Sequence, residues 1–599
     1  MKPLDWLGVA SCSLFACTLL AAEARAQLFT EVDPGLATSL YPSVTWADVD
    51  GDGDMDVLDT GSGRHDVAYS TIYKNNAGAF VDSGITLLGL SRAAAAWGDF
   101  DGDGDLDLAM TGLTSAGITA TQVYRNNGAT FAPVAGSFLA VFAGSVAWGD
   151  YDGDGDLDLL VDGIPSQTSG TPVTRLYRND GGTFTSVAHP FPDCYVGTAQ
   201  WVDYDHDGRM DLCLTGSVSG GGLIAGVWRN VGGGSFTNIG AGLPGTDLGF
   251  ADWGDFDQDG DLDLALCGNS DQGFITRIYR NDAGTLVDLN AGLLGEIWSS
   301  GGWGDFDDDG DLDLMVIGYE PIAQVNRSIL YRNDGGSFVD TGAAFHNVYL
   351  GGMSWVDYDN DGDLDLCLSG NEVGVNILVL YRNNGAVTNQ PPSAPSGLAV
   401  SIDGSAVNFG WSTSTDDHTP PSALNYNLRI GTSPGGAEIM SPQALANGRR
   451  RLVALGNAQA GLSARIAPLQ VGVTYYWSVQ AIDASFLGSP FAAEQSFTIA
   501  PADVPSSSAE LTGELSAAPN PFRGAATLRL VGSDRATSSL RVFDSSGRLV
   551  RVLPLARAAD GTALASWDGR DELERALPSG LYLCRADGGG PITRLIKVR

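Results

Sequence analysis

Seven times along this chain a tryptophan is followed, two residues on, by the pattern Asp-x-Asp-x-Asp-Gly-x-x-Asp, beginning at Asp48, Asp99, Asp150, Asp203, Asp255, Asp305 and Asp357. So many carboxylates in one nine-residue turn repel one another unless a hard cation sits among them. A fixed recurrence of about 50 residues means equivalent units stacked or arranged in a ring, because one such unit cannot bury its own apolar face. The motif therefore predicts a cation-dependent repeat scaffold.

Each position of the turn has a chemical role. Carboxylate ligands come from the first (Asp48, Asp99, Asp150, Asp203, Asp255, Asp305, Asp357), third (Asp50, Asp101, Asp152, Asp205, Asp257, Asp307, Asp359), fifth (Asp52, Asp103, Asp154, Asp207, Asp259, Asp309, Asp361) and ninth positions (Asp56, Asp107, Asp158, Asp211, Asp263, Asp313, Asp365). The seventh is Asp54, Asp105, Asp156, Arg209, Asp261, Asp311 and Asp363. Arg209 cannot ligate through its side chain, so the seventh position is expected to offer its backbone carbonyl. Position six is glycine in every copy, as a sharp turn requires. An all-oxygen set of this size suits calcium, at about seven sites. Magnesium retains its waters and takes fewer carboxylates, and zinc lacks its His/Cys set. An EF-hand is excluded, since strand-like rather than helical sequence flanks each turn and position twelve of the second copy is Met110.

Around each turn the sequence alternates in short runs. Ala147-Trp148-Gly149 enters, Leu157–Val161 leaves, Val173–Asn179 follows a polar loop, and Asp180-Gly181-Gly182 is a hairpin signal before Thr183-Phe184-Thr185. Four antiparallel strands per unit and seven units predict an all-β, seven-bladed β-propeller. The seventh unit lacks its fourth strand, and Leu28–Asp33 resembles the strand around Phe236, so the start of the mature chain is expected to complete the last blade and remove an exposed edge. The tryptophans are expected to pack between blades, and the recurring Tyr-Arg-Asn to serve the fold, with Arg answering Asp charge. The motif Trp-Gly-Asp-Phe/Tyr-Asp-x-Asp-Gly-Asp-Leu-Asp-Leu with Tyr-Arg-Asn-Asp-Gly-Gly resembles the FG-GAP/VCBS repeat family, the propeller type of integrin α heads. That resemblance implies calcium binding and a role in adhesion or ligand binding.

The net charge of −39 argues against nucleic acid and anionic membrane as partners. Residues 1–26 read as an export signal ending in Ala24-Arg25-Ala26, and no later segment is long and apolar enough to span a bilayer. Beyond the signal, Cys194, Cys213, Cys267, Cys367 and Cys584 are an odd, scattered set, expected to be buried rather than bridged. The propeller is assigned residues 27–388 and a linker 389–396. Residues 397–501 resemble a fibronectin type III sandwich, with Tyr475 at the tyrosine-corner position and an expected spacer role. A second linker covers 502–512. Residues 513–599, with Ala518-Pro519-Asn520-Pro521-Phe522 and Pro578-Ser579-Gly580-Leu581-Tyr582, resemble the C-terminal sorting domain of type IX secretion. The resemblance implies export through the Gram-negative periplasm to the cell surface or medium, and the secretion machinery as a partner.

Recognition is expected on the loops of variable length between second and third strands, such as Gly61–His65, Ser166–Ser169 and Gly318–Pro321. Tyr41, Phe142, Tyr195, Trp298 and Tyr349 recur near the inner strands and either ring the channel mouth or pack between blades. Five scattered histidines and no nucleophile elbow, zinc-protease motif or phosphate loop leave no catalytic constellation. The expected function is a secreted module binding a glycan or an extracellular protein. The alternative is a polysaccharide-degrading enzyme, lyase or hydrolase, on the same scaffold.

Overall fold

The structure, a computed structural model, describes residues 28–63, 67–128, 130–168, 170–385, 389–500, 514–531, 539–544, 547–558, 562–572, 574–586 and 592–598. The expected export signal lies outside these residues. The described residues form strands and no helix, so the chain is all-β. They fall into two compact units, Met1–Ile499 and Ala500–Arg599.

In the first unit, the repeats build seven antiparallel sheets in which the Trp-bearing strand comes first. The first sheet is Leu40–Ala47, Asp56–Ser62, Ala68–Asn76 and Ala79–Asp82. The sixth is Ile297–Gly304, Asp313–Glu320, Val325–Asn333 and Phe338–Asp340. The second strand of each sheet is buried on both faces, which explains runs such as Asp107–Leu113 without polar alternation. Each sheet's first strand touches the next sheet's first strand, and that of the seventh (Met353–Val356) touches that of the first, so the contacts form a cycle. The seventh sheet is closed by the start of the described chain. Phe29–Val32 pairs antiparallel with Val375–Asn383, Phe29 opposite Asn383 and Val32 opposite Leu380. Phe29 is buried between Phe306 and Phe345, with ring centroids 6.0 and 5.4 Å away.

The tryptophans lie in the seams between sheets. Trp148 Nε1 donates to Ala96 O at 3.1 Å, Trp303 Nε1 to Asp252 O at 3.2 Å and Trp355 Nε1 to Gly302 O at 3.2 Å, each reaching the preceding sheet. The glycine beside the tryptophan makes room: a Cβ on Gly149 would lie 2.5 Å from the Trp201 ring, and one on Gly254 2.9 Å from that of Trp303. The residue after the first Asp stacks on the next sheet's tryptophan, as Phe100 does on Trp148 and Phe256 on Trp303. Of the rim aromatics, Trp298 and Tyr349 meet Tyr319 in a three-ring cluster with centroids 5.8 to 6.0 Å apart.

Residues Ser396–Ile499 form a sandwich of two three-stranded sheets around Trp477, Phe409, Tyr426 and Tyr475. The Tyr475 hydroxyl accepts from Gln470 N at 2.7 Å, the bond expected of a tyrosine corner. The expected spacer role does not match its placement: this domain packs on the acidic-turn end of the ring and belongs to the same compact unit. Asn389, in the stretch read as a linker, is buried and donates to Asp483 at 3.0 Å.

The second unit holds two four-stranded sheets packed on Phe522, Trp567 and Tyr582. The five cysteines beyond the signal are buried and free.

Candidate metal centres

Every turn is held open by its own backbone. The first Asp accepts the N–H of the position-six glycine, as in Gly53 to Asp48 at 3.1 Å, Gly155 to Asp150 at 2.9 Å and Gly310 to Asp305 at 2.9 Å. Those glycines have φ between 79° and 102°, a conformation that L side chains rarely adopt. Position four is also left-handed in all seven turns: Gly51, Gly102 and Gly153, then His206, Gln258, Asp308 and Asn360. The sequence reading missed this second constraint, although Gly and Asn there are its usual signal.

The ninth Asp joins the turn to the rest of its sheet. Asp158 Oδ2 accepts Tyr151 N at 3.1 Å and its Oδ1 accepts Asn179 N at 2.8 Å; Asp313 does the same with Phe306 and Asn333 at 3.2 and 2.8 Å. Burial pushes Asp158, Asp263, Asp313 and Asp365 up to about 9, partly offset by the bond from the asparagine N–H. Asp107 and Asp211 rise to about 8 and Asp56 to about 7 for the same reasons. In all of these but Asp211, whose Oδ2 has no partner, both oxygens already accept N–H donors, so a proton must compete with a hydrogen bond and a neighbouring cation neutralises the carboxylate without that loss.

In three turns the third Asp is paired with the basic residue of Tyr-Arg-Asn, whereas Arg178, Arg280 and Arg332 pair with the hairpin residues Asp180, Asp282 and Asp334. Lys74 reaches Asp50 at 2.6 Å, Arg125 reaches Asp101 at 2.6 Å and Arg229 reaches Asp205 at 2.5 Å. One oxygen of the third Asp still has no hydrogen-bond partner while buried: Oδ1 of Asp50, Asp152, Asp205, Asp257, Asp307 and Asp359. Oxygens of the first, third and ninth residues converge to within 4.8 Å of one another in Asp48/Asp50/Asp56, Asp99/Asp101/Asp107, Asp150/Asp152/Asp158 and Asp203/Asp205/Asp211; in the fifth turn Asp255, Asp257 and Asp259 do so.

The seventh position turns away, toward the hairpin between third and fourth strands. Asp54 accepts Ala77 N at 3.1 Å, Asp156 accepts Gly181 N at 2.8 Å and Asp261 accepts Ala283 N at 2.9 Å. Arg209 makes the same link with reversed polarity, its Nε donating to Asn230 O at 2.9 Å.

The asparagine of Tyr-Arg-Asn clamps neighbouring turns together. Its Nδ2 donates to the carbonyl after the first Asp of the preceding sheet: Asn126 to Val49 O at 3.1 Å, Asn179 to Phe100 O at 2.7 Å, Asn230 to Tyr151 O at 2.6 Å and Asn281 to Tyr204 O at 2.8 Å. Asn333 and Asn383 continue to Phe256 O and Phe306 O at 2.8 and 2.6 Å, and Asn75 closes the cycle on Tyr358 O at 2.7 Å.

The domain at 396–499 binds the backbone of the same turns. Arg451 donates to Asp48 O at 2.9 Å and to Gly104 O, while Asp48 N donates back to Arg451 O at 3.0 Å. Asp203 N donates to Gln459 Oε1 at 2.7 Å, Ala467 N to Gly153 O at 2.8 Å, and Ser485 Oγ to Asp305 O at 3.3 Å as well as to the Asp308 carboxylate at 2.8 Å. No sequence signal marked Arg451, Gln459 or Ser485.

The family model described as FG-GAP-like repeat matches residues 203–266, 255–316 and 305–368, which include the fourth to seventh turns. The chain thus carries three FG-GAP-like repeats by that measure. No curated protein matches it. Among solved structures, it is similar to the FN1–FN3 domains of chicken CNTN1, at 11% identity over 39% of this chain and 78% of that one, TM-score 0.15. It is also similar to dimeric latent PorU from Porphyromonas gingivalis, at 13% identity over 56% of this chain and 31% of that one, TM-score 0.13. Alpha-L-rhamnosidase from Dictyoglumus thermophilum follows at 10% identity, 35% and 29% coverage, TM-score 0.14. At such TM-scores these likenesses carry no argument about fold or function.

Proposed function

We propose that the seven sheets form a calcium-loaded β-propeller that serves as an extracellular adhesion or ligand-binding module for a glycan or protein, not as an enzyme. The observation that carries the reading is the buried, unpaired Oδ1 of the third Asp in six turns, set beside first and ninth carboxylates that cannot all stay charged in a dry turn. Calcium fits an all-oxygen set with flexible ligand number. When bound, it would be held by the first, third, fifth and ninth carboxylates and the seventh carbonyl, and it would supply the positive charge that fixes the turns. The FG-GAP-like match over residues 203–368 is consistent with this reading. The export signal at 1–26 and the sorting-like sequence at 513–599 support secretion to the cell surface or medium through type IX machinery.

With the acidic-turn end occupied by the 396–499 domain, recognition by the ring's outer surface falls to the loops at the other end. The test is elemental analysis and thermal melting of the secreted chain, with calcium and with chelator, followed by a glycan array under both conditions. About seven bound calcium ions and a chelator-dependent loss of both melting temperature and ligand binding are expected. Absence of bound calcium with identical melting would defeat the metal reading. Release of unsaturated or reducing sugar would defeat the non-enzymatic one.

A further inference from the structure

A cavity of ≈ 810 Å³ lies at the centre of the ring, between the seven tryptophans and the 396–499 domain. That volume is in the range of small-molecule sites, which combine apolar walls with a few convergent polar groups. The walls are indole edges, the aliphatic segment Leu452–Leu455 and, at the acidic-turn end, Asp150, Asp152, Asp203, Asp207 and Asp255, whose charge the proposed cations would neutralise.

Two departures from sevenfold repetition put further polar groups into this chamber. The residue before each tryptophan is Thr45, Ala96, Ala147, Gly302 or Ser354 in five sheets, all small, but Gln200 and Asp252 in the adjacent fourth and fifth. Gln200 Nε2 donates to Asp252 Oδ1 at 3.2 Å, Asp252 Oδ2 accepts Trp303 N at 2.9 Å, and Gln200 Oε1 is buried with no partner. From the opposite side comes Arg450, only 9% exposed. Its Nη1 and Nη2 donate to Pro442 O and Ala454 O at 3.1 and 3.0 Å, and its Nε has no partner. Burial alone shifts this group, down to about 10, with no acidic neighbour opposing it. Arg429, by contrast, stands beside Glu494 at 3.1 Å. A guanidinium kept from water with only two neutral carbonyls lacks the counter-charge such burial demands.

We propose that the central chamber is a ligand site for a small sugar acid, whose carboxylate pairs with Arg450 and whose hydroxyls meet Asp252 and Gln200 while its C–H faces lie against the indoles. The planar guanidinium matches a carboxylate, Asp252 accepts from hydroxyls, and tryptophan walls suit a body with one apolar and one polar face. This site is separate from the outer loops assigned to adhesion, but it rests on the metal reading, because turn carboxylates also line the chamber and must be neutralised before an anion enters.

The test uses the full secreted chain in calcium, titrated with D-galacturonate and with neutral D-galactose, and followed by calorimetry and tryptophan fluorescence. Galacturonate is expected to bind saturably and at least tenfold more tightly than galactose. Arg450→Gln should remove at least tenfold of the galacturonate affinity and leave galactose within twofold. Gln200→Ala should weaken both sugars without moving the melting temperature, and it decides the matter if Arg450→Gln fails to fold. A chamber that holds water only, equal affinity for the two sugars, or galacturonate binding unmoved by the variants overturns the proposal.

Discussion

Replacing Asn333 with alanine tests whether the ring is held by its asparagine clamps. The side chain is fully buried and makes three bonds: Nδ2 to Phe256 O at 2.8 Å, Nδ2 to Leu312 O at 3.2 Å, and Oδ1 from Gly336 N at 2.7 Å. Each is worth about 1 kcal/mol net, and an acceptor stranded in a buried seam costs about 1–3 kcal/mol. A loss of roughly 4–6 kcal/mol follows. An unfolding entropy of about 2.1 cal/mol/K per residue over about 360 ring residues gives roughly 0.75 kcal/mol per degree, so the melting temperature should fall by about 5–8 °C. Asn333→Asp keeps the acceptor for Gly336, loses both donors and adds charge beside Asp313, so it should be at least as damaging. Asn127→Ala is the control: this exposed side chain makes only long contacts, at 3.4 and 3.5 Å, and should change stability by less than about 0.5 kcal/mol. Melting is followed by circular dichroism at fixed scan rate in excess calcium. An Asn333→Ala protein melting within a degree of the parent would refute the clamp.

In chelator, carboxyls raised to between about 7 (Asp56) and about 9 (Asp313, Asp365) contribute stability that is fully present below their unfolded values and lost as pH climbs through the folded ones. The metal-free protein should therefore melt at progressively lower temperature from pH 5 to pH 9, and the gain on adding calcium should widen over the same range. Arg209→Asp should leave the number of bound calcium ions unchanged by elemental analysis, because the seventh side chain links to the hairpin and its contact with Asp207 is one that a bound cation would replace. Arg451→Ala strands the carbonyls of Asp48 and Gly104, costs about 2–4 kcal/mol, and should speed hydrogen exchange at the Asp48 amide. Phe29→Ala removes the ring wedged between Phe306 and Phe345, at about 3–5 kcal/mol, and should lower the melting temperature nearly as much as the clamp variant does.

What the sequence disclosed divides along one physical line. Features written in side-chain type and spacing were legible: the acidic turns, the four short strands, the Trp seam, the tyrosine corner at Tyr475, and the strand around Phe29 that completes the seventh sheet. Contacts made through backbone atoms were not. The asparagines were seen as part of the fold, but their targets are carbonyls of the preceding sheet, and a carbonyl carries no residue signature. The 396–499 domain was expected to be a spacer for the same reason, since Arg451, Gln459 and Ala467 bind main-chain groups of Asp48, Asp203 and Gly153 that any sequence would present. Those main-chain groups are presented correctly only while the turns keep their shape, and the turns keep it best with their carboxylates neutralised. On the proposed calcium reading, metal occupancy, domain docking and closure of the chamber over Arg450 are coupled through one set of loops, and removing the cation should loosen the docked domain before the sheets themselves come apart.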